Sequence, residues 1–376
     1  MNREMTSKER LETVIRGGRP DRVPATVHQW QPYHYRNIMG VADELEAFLA
    51  VGLDAVIYPW ACVKSGESPD WRGAGVETTL PDGMVAIETR LSTPDGVLTG
   101  KAMRSPYTTT TTEHAFKRPE DMRLIEKHQP VPELDVDAVR ALKARLGDHG
   151  ILRCFTNGPQ GSPWQDACCY YGTEQMIYRA FDDPTWTHEF LDILLRKKIA
   201  FYRKNLTPLK GVFAMIETGG GAASNNVISP TMFEEFCLPY DIRQHDVIHE
   251  LDPDIAISYH TCGGMMKLLE LIPRNGCDFS ETLSPPGCGG DIRDHRDDVE
   301  VKRVLGGKVK LMGGLNQSEI LEKGTREQIY AEVERCFNGY GAGGGYIMMP
   351  SDHFFHAPKE NIVIYAQAVR DLGRYR

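Results

Sequence analysis

His260-Thr261-Cys262-Gly263-Gly264 sets an imidazole and a thiol two residues apart. Zinc accepts both kinds of donor. The pair follows Ile255-Ala256-Ile257-Ser258-Tyr259, an apolar run too short for a helix and with β-branched residues inside it. Such a run reads as a buried strand. Residues i and i+2 of a strand point to the same side, so one ion or one substrate is within reach of both. The two glycines let the backbone turn towards the next element. A catalytic zinc takes three protein ligands and keeps one position open. His353 is the first choice for the third ligand, with Asp352 beside it. Glu217 and Cys288 are the alternatives, and Cys277 is discounted because it begins a strand rather than ending one.

The elements that must position this pair alternate between short β-like runs and amphipathic stretches. The runs are 22–28, 54–60, 151–156, 211–217, 255–259, 277–281, 309–315 and 345–350. Helical patterns cover 135–146, 184–205, 230–250, 265–272, 326–338 and 359–372, after a first helix with Thr6 or Ser7 as N-cap and Glu9 as its capping-box partner. Eight such alternations predict an α/β fold with a parallel sheet. At this length a (β/α)8 TIM barrel over a single domain, residues 1–376, is the expected form, since such barrels take about 250 residues before insertions. An open doubly wound sheet is the rival, and no G-x-G-x-x-G follows the first strand to favour it. Turn signals at Pro81-Asp82-Gly83 and Pro94-Asp95-Gly96 predict an antiparallel β excursion near residues 76–105.

In a barrel of this kind the chemistry gathers at the carboxyl ends of the strands. His28, Trp60, Asn157, Glu217, His260, Cys262, Glu281, Asn316, Gln317, Asp352 and His353 all fall there. From this set Glu217, Asp352 and His28 are the candidate catalytic groups, and His260, Cys262 and His353 the candidate metal ligands. Trp30, Tyr33, Trp60 and Trp164 are candidate pocket walls.

Composition narrows the function classes. The net charge of −9, with no basic stripe, argues against nucleic acid as a partner. No apolar run reaches the roughly 18 residues of a membrane span. Residues 1–16 lack the apolar centre of a signal peptide, so a cytoplasmic location is expected. The nine cysteines are odd in number, irregularly spaced and without a C-x-x-C pair, which suits buried thiols and one metal ligand rather than disulfides.

The chain resembles the uroporphyrinogen decarboxylase superfamily. The resemblance rests on Ser7-Lys8-Glu9-Arg10, the stretch from Gly18 to Pro24, that from Ser229 to Phe236, Pro239-Tyr240, His260-Thr261-Cys262-Gly263, the stretch from Leu311 to Leu315, and Pro358-Lys359-Glu360-Asn361. Its true decarboxylases carry an arginine-rich N-terminal segment for the porphyrin carboxylates. Here the matching stretch is Val27-His28-Gln29-Trp30-Gln31-Pro32-Tyr33-His34, without arginine. The other branch, the cobalamin-dependent methyltransferases, binds zinc through a His-x-Cys pair and a later Cys. His260 and Cys262 match the pair, whereas Pro350-Ser351-Asp352-His353 stands where the later Cys belongs. The resemblance implies a zinc-dependent methyltransferase acting between a small O- or S-methyl substrate and cobalamin. The chain has no Asp-x-His-x-x-Gly motif, so the corrinoid is expected on a partner protein. The family often dimerises, which makes a homodimer a candidate assembly. A decarboxylase or lyase acting on a small acid or tetrapyrrole is the competing expectation.

Overall fold

The computed structural model describes residues 3–64, 68–158 and 161–375. Helix α1 (Ser7–Ile15) comes first, with the expected capping box between Thr6 and Glu9. Strand β1 is Ala55–Ile57. Strands β2 (Arg72–Thr79), β3 (Val85–Thr93), β4 (Gly96–Arg104) and β5 (Thr109–Glu113) follow. Then come β6 (Gly150–Cys154), β7 (Met215–Gly219), β8 (Ala256–His260), β9 (Phe279–Thr282), β10 (Lys310–Leu315) and β11 (Tyr346–Pro350). Strands β1 and β6 to β11 form one curled, seven-stranded parallel sheet in chain order. Its residues are buried on both faces, as parallel strands under crossover helices must be.

The eighth strand expected at 22–28 is not regular. Pro24 has no N–H to give to a ladder. The segment nevertheless bridges the two outer strands. Met348 N donates to Pro24 O and Thr26 N to Met348 O, both at 2.9 Å, while Asp54 N donates to Ala25 O at 2.8 Å. The arrangement is consistent with a TIM-like fold. Buried ion pairs hold this segment in place. Asp54 accepts from Arg10 Nη1 at 2.6 Å, from Arg22 Nη1 at 3.2 Å and from Ala25 N at 2.9 Å.

Leu11 and Val14 of α1 pack on Val56, Ile151, Met215, Phe279, Met312 and Ile347. The helix thus covers the amino ends of the strands and leaves the carboxyl ends for chemistry. A second apolar cluster runs from Val23 to Val369 and joins the sheet to its surrounding helices. Among the described residues no helix is long and apolar enough to cross a membrane.

Strands β2 to β5 make an antiparallel meander, somewhat longer than the 76–105 excursion expected. The helix expected at 265–272 does not form. Asp291 accepts from Met265 N at 2.8 Å and Met266 N at 3.2 Å, and Asn225 accepts from Lys267 N at 3.0 Å. The segment closes as tight turns instead: Leu268 N to Met265 O and Leu271 N to Leu268 O.

Two stability outcomes follow. Asp54→Ala takes the ion pair from buried Arg22 and one of two carboxylates from Arg10, which keeps Asp21, so urea unfolding should show a loss of about 3–5 kcal/mol; a loss under about 1 kcal/mol contradicts the bracing role. His245 lies between Thr218 Oγ1 at 2.9 Å and Asn275 O at 2.7 Å, and burial pushes its imidazole down to about 4. Its folded-state value lies below the unfolded one, so its contribution is full above the ordinary value of 6.5 and fades as pH falls towards 4. Wild type should lose on the order of 3 kcal/mol more than His245→Gln between pH 7.5 and 4. Parallel curves for the two proteins would remove His245 from the account.

Candidate metal centre

The strand register sets the site. Glu217 on β7 pairs with Ser258 on β8, and His260 on β8 pairs with Glu281 on β9. Arg153 on β6 points to the same interior. The loop after β8 brings Cys262, and the loop after β11 brings Asp352 and His353. Gly221 lets Cys262 approach, because a Cβ there would come 2.7 Å from its Sγ.

Glu281 is fully buried and sits at the centre. One oxygen takes an ion pair from Arg153. The other, Oε1, lies 3.2 Å from His260 Nδ1 and 3.1 Å from His28 Nδ1. The His260 contact meets hydrogen-bond geometry; the His28 contact meets only the distance, which leaves His28 Nδ1 buried without a directed partner. Burial alone would raise the Glu281 carboxyl, but Arg153 and the two imidazoles override it and hold it well below the ordinary range. A carboxylate behind a metal-binding imidazole fixes the ring and its tautomer. Here one carboxylate backs two imidazoles.

Glu217 lies at the cavity wall. It accepts from Tyr58 Oη, and from Gln29 Nε2 at 3.4 Å, and it lies 3.4 Å from Arg153 Nη2. Burial raises its carboxyl, yet Arg153 and His28 bring it below the usual value. Burial also opposes charge on His260, but Cys262, Glu281 and Glu217 outweigh it and raise the imidazole well above its usual value. His353 is lowered by burial although it bonds Asp352 at 2.6 Å, while Asp352 is lowered by His353 and by its other histidine neighbours against its own burial. The two shifts disagree about a simple ion pair. Burial of the ring decides it, and the neutral imidazole is the form that ligates metals.

Among the described residues three sets of donors come close enough to hold an ion, with ligand atoms all within 4.8 Å of one another in each set. They are His28, Glu217 and His260; His28, Asp352 and His353; and His260, Cys262 and Asp352. His260, the last residue of β8, and Cys262, on the loop after it, fall in one set, and that set contains Asp352. His353 sits one residue along, in a set with His28 and Asp352. His28, expected as a catalytic group, is placed among donors as well. Cys288 lies elsewhere, against Asn316 Oδ1 at 3.4 Å and Ser318 Oγ at 3.7 Å, and Cys277 is buried near Ile272 O. Imidazole, thiol and carboxylate donors this close together fit a zinc-type ion.

A cavity of about 180 Å3 opens beside these groups, lined by His28, Gln29, Trp60, Phe155, Glu217 and His353 among others. Trp60 and Phe155 stack at 4.0 Å and give it an apolar wall. Of the other aromatic residues considered, Trp30 packs on Phe48, Tyr33 on Tyr107 and Trp164 on Phe236, all away from the cavity. The sequence pattern did not single out Arg153, Tyr58 or Gln29. Arg153 and Tyr58 each sit inside or beside an apolar strand, and a charged residue within such a run was the available signal for Arg153. Gln29 holds φ +39, a conformation few residues other than glycine adopt, and this aims its amide between Glu217 and His353.

A parallel β/α fold with metal-capable donors at the carboxyl ends of its strands is the class of protein that this geometry defines. Within that class, the chain belongs to the uroporphyrinogen decarboxylase (URO-D) family, which matches it over residues 101–372. It is 23% identical to a methylated-thiol–coenzyme M methyltransferase of Methanosarcina mazei, over 99% of this chain and 92% of that protein. It is 27% identical to the uroporphyrinogen decarboxylase of Xylella fastidiosa, over 56% of this chain and 55% of that one. A solved methyltransferase structure from Methanosarcina mazei shares the fold, with a TM-score of 0.65 at 14% identity over 98% of this chain and 99% of that one.

Glu281→Gln keeps the shape of the side chain and removes its charge. Competition with a chelator should show metal affinity reduced about 10–100-fold. Unchanged affinity in a folded variant would show that the shared carboxylate does not orient the ligands.

Proposed function

We propose that this protein is a zinc-dependent methyltransferase, moving a methyl group between a small O- or S-methyl substrate and a corrinoid carried by a partner protein. The observation that carries the reading is the convergence of His260, Cys262 and Asp352 at the end of β8. The alignment with a methyltransferase over 99% of the chain supports it. We take the whole chain as one domain, with the segment at 24–26 completing the barrel between β11 and β1.

In this reading His260, Cys262 and Asp352 hold the ion, and His353 orients Asp352 through its 2.6 Å hydrogen bond. A zinc ion there lowers the pKa of a bound thiol or polarises a bound ether oxygen. The chain's own groups do the rest. Trp60 and Phe155 exclude water from the apolar side of the methyl donor. Tyr58 Oη donates to Glu217 Oε2 beside the cavity, so the phenol holds a proton where the departing oxygen or sulfur needs one. Gln29 ties Glu217 to His353 and keeps both facing the substrate.

The decarboxylase reading requires cations for substrate carboxylates. Among the described residues the cavity lining contains neither Arg nor Lys, and Arg153 is committed to Glu281, Glu217 and Ser258 Oγ. The methyltransferase reading therefore stands ahead of it.

The test combines metal content with transfer. The purified wild type should hold about one zinc per chain, and Cys262→Ala and Asp352→Ala much less. With reduced cobalamin as acceptor and a panel of aryl methyl ethers and methyl thioethers, wild type should form methylcobalamin. Cys262→Ala should be slower by on the order of 100-fold or more. Full transfer by Cys262→Ala, or carbon dioxide release without transfer, would overturn the proposal.

A further inference from the structure

The donors at the carboxyl ends outnumber what one ion takes. The set of His260, Cys262 and Asp352 contains a soft thiolate donor. The set of His28, Asp352 and His353 contains two imidazoles and a carboxylate. The two sets have only Asp352 in common, and His353 shares no set with Cys262. A carboxylate has two oxygens and can serve two ions at once.

A second observation points to a cation beside His353. Gln29 Nε2 donates to the Glu217 carboxylate, which can only accept when ionised. That fixes the amide, so Gln29 Oε1 faces His353 Nε2 at 3.3 Å and accepts its N–H. The other ring nitrogen, Nδ1, lies 2.6 Å from Asp352 Oδ1, so these contacts fix the ring beside that carboxylate. His28, a 2% exposed residue whose ring lies against Glu281, has a donor atom within 4.8 Å of those of Asp352 and His353, so a cation among the three would engage all of them.

We infer that His28, Asp352 and His353 form a second divalent-cation site, joined to the first through the Asp352 carboxylate. Two imidazoles and one carboxylate form a nitrogen–oxygen donor set suited to Mn2+, Fe2+, Co2+ or Zn2+, with no thiolate preference. Lacking a thiolate, it should bind more weakly than the first and fill on titration rather than persist through purification. It builds on the proposed zinc site only in sharing Asp352.

The experiment is titration of metal-free protein with Co2+, following bound metal by elemental analysis and the thiolate-to-cobalt absorption band by spectroscopy. Wild type should take up two ions, only one of which gives the band. His353→Ala and His28→Ala should each take up one and keep the band. Cys262→Ala should lose the band yet still bind at the nitrogen–oxygen site. Circular dichroism and thermal melting confirm that each variant is folded. One ion in wild type, with the band and unchanged in folded His353→Ala, overturns the second site and leaves the zinc reading intact. One ion without the band, lost in His28→Ala and His353→Ala, upholds the nitrogen–oxygen site and overturns the thiolate site. No uptake overturns both.

Discussion

A carboxylate with no exposed surface must be compensated, and around Glu281 that requirement organises the centre of the protein. Arg153 neutralises one oxygen, and two imidazoles approach the other. An unpaired charge at such a position would be strongly destabilising. The same contacts that settle the charge also orient His28 and His260 towards the cavity. Arg153 in turn reaches Ser258 and Glu217, so strands β6, β7, β8 and β9 are tied through a single guanidinium. Burial and orientation are one arrangement here, and it leaves Arg153 unavailable for a substrate.

The sheet makes that arrangement possible. Parallel pairing puts His260 level with Glu281 and Ser258 level with Glu217, so residues far apart in the chain face one interior. Helix α1 fills the amino ends of the strands with Leu11 and Val14, and the Arg10–Asp54–Arg22 cluster fixes the irregular segment that carries His28 and Gln29. The bracing at one end therefore determines where two site residues stand at the other.

The resulting surface has two characters. One side carries imidazoles, carboxylates and a thiol; the other carries the stacked rings of Trp60 and Phe155. The chain's similarity extends to both a methyltransferase and decarboxylases.

Much of this was legible in the residues alone. The alternation of apolar runs and helical patterns implied the parallel sheet, because strand and helix periods are local properties. The His260–Cys262 pair was legible as two metal-capable donors two residues apart after an apolar run, although β8 ends at His260 and the loop after it carries Cys262. Other features depend on contacts between distant segments. Pro24 removes an N–H, but only the neighbouring strands show that 24–26 still bridges them. The turns at 265–272 form where Asp291 and Asn225, distant in the chain, hold the segment's first N–H groups. Asp352 joins His260 and Cys262, and His353 joins His28, through loop geometry that spacing does not encode. The sequence by itself determined which elements form and which donors lie at their ends; the tertiary structure decided which donors meet, because register and loop closure bring together side chains that no local pattern relates.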